Sequence, residues 1–344
     1  MSKQLFFSDL HCHNHEQFSH RLASGRNSRL QDCINIVLQA AELVEKENIS
    51  TVYFLGDTFH ARTKVDIDVL TGAVFAFRTL SSKLPSGGLV MLVGNHDQYS
   101  KVGDVYSTDI FREFATVVDK PSIIQREGSV ALYPYTTDIE GMKGWLQAMP
   151  KVDLLLFHQG VSEAAVGPYD MHVKTELSIQ DIPFDKCRYA IAGDYHKRQF
   201  LAGGKFHYVG SPLQLSFGER DEPKCFTIID EGWNIKELRT TAPCFHTFTS
   251  VEVAKEAIAW KTCDPEKDFL RVISKSKADL EALKVYYPRI QVVFEADDTK
   301  APPRISNSQV GNDKRLLETY VENNPSVIPA DDLLLEGLTL LGEE

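Results

Sequence analysis

Five short segments of the chain carry side chains that can bind metal ions, and each follows an apolar run. The residues concerned are Asp9 and His11, Asp57, Asn95 with His96 and Asp97, His158, and Asp194 with His196. Imidazole nitrogens together with carboxylate oxygens suit borderline divalent ions. A carboxylate shared by two ions about 3.5–4 Å apart helps clamp both the attacking and the leaving oxygen of an in-line displacement. The set therefore predicts a two-metal centre that acts on phosphoesters.

The five segments differ in how much each one indicates alone. A strand-end aspartate such as Asp57, or a single histidine such as His158, is more often structural than functional. The sequence GNHD at residues 94–97, directly after a hydrophobic strand, is much more specific. The occurrence of all five segments in order along one chain favours a functional site over a purely structural explanation.

Apolar runs predict the strands that position these residues. They lie at Leu5–Phe7, Thr51–Leu55, Leu89–Val93, Leu154–Phe157 and Tyr189–Ala192. Apolar residues recur at helical spacing from Leu30 to Val44, with Asn27 or Ser28 as the cap, and a second helix is predicted over Asp68–Leu80. Strand–helix–strand alternation predicts an α/β layered sheet. Since ligand sites in such sheets gather outside the carboxyl ends of strands, we expect the five segments to converge.

Composition sets further limits on the protein. The 344 residues have a formal net charge of −11, which is unusual for a nucleic-acid binder because phosphate neutralisation supplies most of its affinity. Bound divalent ions or a basic partner would compensate. No apolar run approaches the roughly 20 residues of a membrane span, and the N-terminus lacks a signal-peptide pattern, so we expect a cytoplasmic protein (host cytoplasm if the source is viral). Six cysteines without a CxxC pair predict reduced thiols.

The order of the motifs, D-x-H, GD, GNHD, a strand-end histidine and G-x-x-H, resembles that of the calcineurin-like metallophosphoesterases. The segments GDTFH and YVGSPLQLSFGE resemble the SbcD-type nuclease subunits, including their compact bacteriophage relatives. The resemblance covers roughly residues 1–245. It implies an α/β fold, a layered β-sandwich flanked by helices, and two-metal-dependent DNA exonuclease and endonuclease activity in recombination, repair and replication.

Two other functions stay open on the same fold. One is a phosphatase or cyclic-nucleotide phosphodiesterase, which the acidic charge mildly favours. The other is a non-catalytic scaffold whose site has decayed at Asp194, although retention of Asn95, His96 and the outer ligands argues against it.

The resemblance also implies a role for each site residue. It places Asp9, His11, Asp57 and His196 on a first metal ion, and Asp57, Asn95, His158 and Asp194 on a second. Asp57 would bridge the two ions. His96 would stabilise the scissile phosphate or protonate the leaving oxygen, a task that suits an imidazole with an ordinary pKa of ~6.5. Asp97 would orient the His96 ring, and His60 would help to place the substrate phosphate.

Asp194 departs from the family pattern, which is usually G-H-x-H where this chain has Gly193-Asp194-Tyr195-His196. A carboxylate there makes the second site harder and more negative, which favours Mn²⁺, or alternatively Mg²⁺. Alternatively the carboxylate turns away and leaves that ion weakly held. His13 and His15, which follow the first motif, are expected to be exposed to solvent, with lining of the substrate cleft as the alternative.

The chain is predicted to comprise four parts. These are a catalytic domain (1–244), a small α/β lobe that caps the DNA (245–298), a linker (299–312) and a partner-binding helical tail (313–344). Within the lobe, Phe269–Ile273, Lys277–Tyr286 and Ile290–Phe294 read as strand, helix and strand. The implied partners are DNA and an SbcC-type coiled-coil ATPase, with two copies of this chain in a heterotetramer and no membrane. The alternative for the tail is packing against its own domain.

Overall fold

The computed structural model describes residues 3–100, 104–126, 128–167, 171–274, 276, 278, 281, 283, 285 and 291–294. The chain divides into two compact units, Met1–Val293 and Phe294–Glu344, and the description below concerns the first, apart from Phe294 at the end of its last strand. The predicted linker (299–312) and tail (313–344) lie outside the described residues. The predicted division at residue 244 stays a prediction.

The described strands, in chain order, are β1 (Lys3–Phe7), β2 (Ile49–Phe54), β3 (Leu89–Leu92), β4 (Thr116–Val118), β5 (Ser122–Arg126), β6 (Gly128–Tyr133), β7 (Val152–His158), β8 (Ala165–Val166), β9 (Met171–His172), β10 (Cys187–Gly193), β11 (Gln199–Leu201), β12 (Phe206–Tyr208), β13 (Cys225–Ile229), β14 (Ile235–Arg239), β15 (Phe245–Phe248), β16 (Phe269–Ser274) and β17 (Gln291–Phe294). The helices are α1 (Ser28–Glu47), α2 (Ile67–Ser82), α3 (Ile139–Ala148) and α4 (Val251–Ala259). Short 3-10 turns cover Ser107–Phe111, Ile179–Asp181, Ala202–Gly204 and Phe217–Glu219.

Two six-stranded sheets form the body of the protein, with strand orders β14-β13-β1-β2-β3-β4 and β11-β12-β10-β7-β6-β5. In the first sheet β1 to β4 run parallel, and β13 joins β1 antiparallel. In the second sheet β6, β7, β10 and β12 run parallel. Parallel strands end at the same edge of a sheet, so the loops that follow them meet there.

The apolar faces of the two sheets pack against each other. Phe6 and Tyr53 of the first sheet share one buried cluster with Leu156 and Ile191 of the second. Because side chains alternate along a strand, Leu5 and Phe7 point the other way, into a cluster with α1 and α2. A third cluster joins α3 to the outer face of the second sheet. The layered β-sandwich flanked by helices is therefore confirmed.

The predicted elements that lead to the site are all present. The five predicted strands correspond to β1, β2, β3, β7 and β10, and the two predicted helices to α1 and α2. Asn27 caps α1, with its side-chain oxygen accepting the N–H groups of Arg29 at 2.9 Å and Leu30 at 3.3 Å. The helix ends at Glu47, and the next residue, Asn48, has left-handed backbone angles. No helix formed by the described residues is both long and apolar enough to span a bilayer.

A third sheet, β15-β16-β17, lies in the segment predicted as the capping lobe. Helix α4 packs on it through a small apolar cluster that includes Val251 and Val272. Phe245 and Phe269 of this sheet pack with Phe217 and with Phe18, which lies in the loop after β1. The predicted strands of the lobe are present as β16 and β17, while its predicted helix falls largely outside the described residues.

Candidate metal centre

The five motifs follow the carboxyl ends of β1, β2, β3, β7 and β10 and converge in space. Four of the predicted ligands have a positive φ, which is uncommon for residues other than glycine. The angles are 54° at Asp9, 46° at His11, 60° at Asp57 and 90° at Asp194. Sparsely populated backbone conformations of this kind cluster at functional sites. Gly94 is required by close packing, because a Cβ there would clash with the carboxylate and the backbone nitrogen of Asp57.

Asp57 lies at the middle of the site, with 2% of its surface exposed. Its Oδ2 lies 3.4 Å from Nε2 of His11, and its Oδ1 lies 3.5 Å from Nε2 of His158. Burial raises the pKa of this carboxyl, but His158, His11 and His96 outweigh burial and hold it below the usual range. The two oxygens of one carboxylate thus face two different histidines, an arrangement that is compatible with a bridging ligand.

The first group of ligand atoms surrounds His11. Its Nε2 lies 3.0 Å from Nε2 of His196, and these two nitrogens form a potential metal-binding group with a carboxylate oxygen of Asp9. Asp9 is fully buried, and its oxygens accept the backbone N–H of Asp194 at 3.3 Å. Burial lowers the pKa of His11 to about 3, so its ring is neutral. A neutral imidazole is the form that binds a metal ion.

The second group surrounds His158, which is fully buried. Its Nδ1 lies 2.6 Å from the carbonyl of Leu55, which leaves Nε2 directed at Asp57 and Asp194. Oδ1 of Asp194 lies 3.7 Å from that nitrogen, so the carboxylate faces the site. Burial raises the pKa of Asp194 to about 6, with a further upward contribution from Asp9 and Asp57. A divalent ion would remove this repulsion between neighbouring carboxylates.

The amide of Asn95 completes the second group. In the orientation that satisfies both of its ends, its nitrogen donates to Oδ2 of Asp57 at 3.0 Å and to Nε2 of His158 at 3.1 Å. Its oxygen accepts from Nη2 of Arg62 at 3.1 Å. Asp57, Asn95, His158 and Asp194 are thus brought together.

The donor set fits divalent metal ions. Ligand atoms of Asp9, His11 and His196, and separately of Asp9, Asp57 and His158, all lie within 4.8 Å of one another. Nitrogen and oxygen atoms that share an ion at about 2.0–2.2 Å are separated by roughly 3.0–3.5 Å. The separations of 3.4 and 3.5 Å from Asp57 to the two histidines fall within this range. These residues would hold two ions.

The structure corrects the expected role of Asp97. Its carboxylate is buried and accepts three backbone N–H groups, those of Gly94 at 3.0 Å, Asp57 at 2.9 Å and Thr58 at 2.9 Å. The ring of His96 is held instead by the carbonyl of His60, 2.7 Å from its Nδ1. Burial raises the pKa of Asp97 to about 7, although the N–H donors favour the ionised form. Asp97 therefore supports the loop that carries Asp57.

A group of histidine rings forms one side of the cleft. The rings of His13, His15 and His60 contact one another, with centroids 5.1 to 5.4 Å apart, and His60 stacks on His96 at 5.7 Å. His13 and His15 are half-buried, so the expectation that they are exposed is wrong. They pack on the loop that follows β2, which a sequence pattern does not reveal. The cleft has a volume of about 350 Å³ and is lined by His15, His60, His96 and His196 among others.

Glu219 is a site residue to which the sequence pattern assigned no role. Its Oε1 lies 3.0 Å from Nδ1 of His196, and its Oε2 lies 2.7 Å from Nζ of Lys224. Burial raises the pKa of Glu219, but His196 and Lys224 outweigh it and lower the pKa to about 2. Carboxylates in this position orient ligating histidines and strengthen them as donors. The signal was its place at the end of YVGSPLQLSFGE.

Solved structures of similar shape include an archaeal phosphodiesterase, at 12% identity over 69% of this chain and 99% of that chain, with a TM-score of 0.35. A phosphoesterase from E. coli is similar at 12% identity over 69% of this chain and 98% of that chain, with a TM-score of 0.32. A nuclease from Pseudomonas putida is similar at 15% identity, covering 68% of this chain and 87% of that chain, with a TM-score of 0.28. Each likeness is too weak to indicate a substrate. No curated protein sequence matches significantly. The family model for calcineurin-like phosphoesterases matches residues 2–198, and the chain belongs to that family.

Proposed function

We propose that this protein is a two-metal-dependent DNA exonuclease and endonuclease, the nuclease subunit of an SbcCD-type recombination and repair complex. The observation that carries the proposal is the pairing of His60 with His96 at the cleft. Nδ1 of His96 is hydrogen-bonded to the backbone carbonyl oxygen of His60, 2.7 Å away. The two rings stack with an interplanar angle of 25°. Nε2 of His96 is thereby left to exchange a proton with a substrate oxygen.

The residues divide the work of phosphodiester hydrolysis among them. Asp9, His11, Asp57 and His196 would hold one ion, and Asp57, Asn95, His158 and Asp194 the other. When bound, two such ions lower the pKa of a water molecule and offset the charge of the phosphate. His96 protonates the leaving oxygen, while Asp97 and Glu219 keep Asp57 and His196 in position. The oxygen-rich set, with Asp194 in place of a histidine, favours Mn²⁺ over softer ions, with Mg²⁺ as the alternative.

The partners follow from the resemblance and from charge. With a net charge of −11 the chain is a weak DNA binder by itself, and bound ions together with an SbcC-type coiled-coil ATPase would supply positive charge. We propose that two copies of this chain join two copies of the ATPase, and that residues 313–344 bind it. A chain ending at Asn312 should then keep its melting temperature and lose co-purification with the ATPase. Precipitation of the truncated chain would contradict this assignment.

The nuclease is tested on linear duplex DNA with Mn²⁺, with and without a candidate ATPase partner. We expect cleavage by the wild type and by His172→Ala, a variant at an exposed histidine of β9, and no cleavage by His96→Ala. p-Nitrophenyl phosphate is assayed in parallel. Hydrolysis of that monoester without DNA cleavage under any of these conditions would overturn the nuclease and favour a phosphatase.

A further inference from the structure

One arginine, Arg62, lies against the second group of ligands. Arg62 is half-buried in the loop between β2 and α2, the loop that also carries Asp57 and His60. Its Nη2 lies 3.1 Å from the side-chain amide of Asn95. Within the described part of the chain its guanidinium makes no ion pair, whereas Lys224, another cation beside the centre, is paired with Glu219 and Glu222.

The amide of Asn95 has two orientations: in one its oxygen lies 3.1 Å from Nε2 of His158, and in the other the oxygen contacts Arg62. The contact with Arg62 belongs to the second. In it the amide nitrogen donates to Asp57, and the amide oxygen accepts from Arg62. A metal ion would be bound by the amide oxygen, since an amide nitrogen is a donor only. Asn95 must then turn its oxygen toward Asp57 and its NH₂ group toward Arg62. The guanidinium would face a donor in place of an acceptor, and would need a new acceptor at the edge of the site.

We propose that this acceptor is a non-bridging oxygen of the substrate phosphate, and that Arg62 positions the phosphate from the side of the second ligand group. A guanidinium presents a planar fork of N–H donors that matches two oxygens of a phosphate. The inference rests on the proposed phosphoester hydrolysis and deepens it. It assigns to this loop a phosphate-binding cation beside the bridging carboxylate of Asp57 and the ring of His60.

The test measures phosphate binding directly. Inorganic phosphate is titrated by calorimetry into the Mn²⁺-loaded wild type, Arg62→Ala, Arg62→Lys and the control Arg78→Ala, an exposed arginine of α2 paired with Glu113. Loss of a charge-assisted hydrogen bond should weaken binding on the order of 10- to 100-fold in Arg62→Ala. Arg62→Lys should lose less, since it keeps the charge without the fork, and Arg78→Ala should bind as the wild type does.

Mn²⁺ affinity and hydrolysis of bis(p-nitrophenyl) phosphate and duplex DNA are measured on the same four proteins. Unchanged Mn²⁺ affinity in Arg62→Ala, with a raised KM and a lowered kcat, supports the proposal. Unchanged phosphate binding overturns it, and so does a loss of Mn²⁺ affinity as large as the loss of phosphate affinity, because Arg62 would then only hold Asn95. If the wild type binds phosphate and cleaves the small diester but not DNA, the nuclease function fails while this inference stands.

Discussion

Replacing Asp97 by asparagine tests the support of the Asp57 loop. Oδ2 of Asp97 accepts the N–H groups of Gly94 and Asp57, and Oδ1 accepts that of Thr58. An asparagine amide has one oxygen, so it satisfies one side and turns an NH₂ group against the N–H donors on the other. At least one buried donor loses its partner, which costs about 1–3 kcal/mol. That is a large part of a typical total stability of about 5–15 kcal/mol.

The same substitution should weaken metal binding. The side chain of Asp57 accepts the backbone N–H of His96 at 2.8 Å, through Oδ1. The backbone N–H of Asp57 donates to the carboxylate of Asp97. The loop that carries Asp57 is therefore held through both its side chain and its backbone. Losing a residue that orients a ligand costs about 10–100-fold in metal affinity. We therefore expect Asp97→Asn to bind Mn²⁺ more weakly by that factor, in addition to its lower stability.

The assay is urea unfolding of the metal-free protein at several pH values, beside calorimetric titration with Mn²⁺. Because the pKa of Asp97 is raised in the folded protein, the wild type loses stability as the pH rises, so the deficit of the variant should be largest at the acidic end of the series. The matched control is Asp230→Asn, because Oδ1 of Asp230 accepts the N–H groups of Gly232 at 2.8 Å and Asn234 at 2.9 Å in an exposed turn. Water can replace those bonds, so the control should lose much less stability than Asp97→Asn. If Asp97→Asn keeps its stability and Mn²⁺ affinity but loses activity, our reasoning is refuted and Asp97 acts on His96 as the motif alone suggested.

Three further predictions concern individual residues of the centre. His96→Ala should lower hydrolysis by about 10²–10⁴-fold while Mn²⁺ binding stays at the wild-type level, because His96 exchanges protons and is not a ligand; full activity would contradict that role. Asp194→Ala should weaken the second Mn²⁺ site by more than the ~10–100-fold typical of an orienting residue. Two equally tight sites in that variant, measured by calorimetry, would show that the carboxylate is no ligand. Glu219→Gln should remove an acid-dependent part of the stability, since the folded pKa of about 2 lies below the ordinary 4.5. As the pH falls from about 4.5 to about 2, the free energy of unfolding of the wild type should fall by on the order of 3 kcal/mol more than that of the variant. Urea unfolding measures both, and parallel pH dependences of the two proteins would exclude this contribution of Glu219.

Local patterns in the chain were enough to predict the five strands that precede the motifs, the first two helices and the motifs themselves, whereas β4, β5, β6 and α3 were not predicted. A strand such as Leu154–Phe157 is recognised as a short apolar run. His158 is recognised as a candidate ligand because it directly follows that run. The convergence of the motifs follows from a general property of parallel sheets, whose strand ends meet at one edge. These predictions needed no knowledge of which loop touches which.

Only the tertiary structure decided the partners of individual side chains. The sequence could not show that Asp97 accepts the N–H of Thr58, 39 residues earlier. Nor could it show that Glu219 is hydrogen-bonded to His196, 23 residues earlier. Hydrogen bonds between loops depend on the backbone angles of both loops. The same holds for Arg62 against Asn95 and for the packing of His13 and His15 beside His60. Periodicity reports which face of an element is apolar, whereas the direction of a polar side chain in a loop depends on the φ and ψ angles of each residue, which the folded body alone imposes.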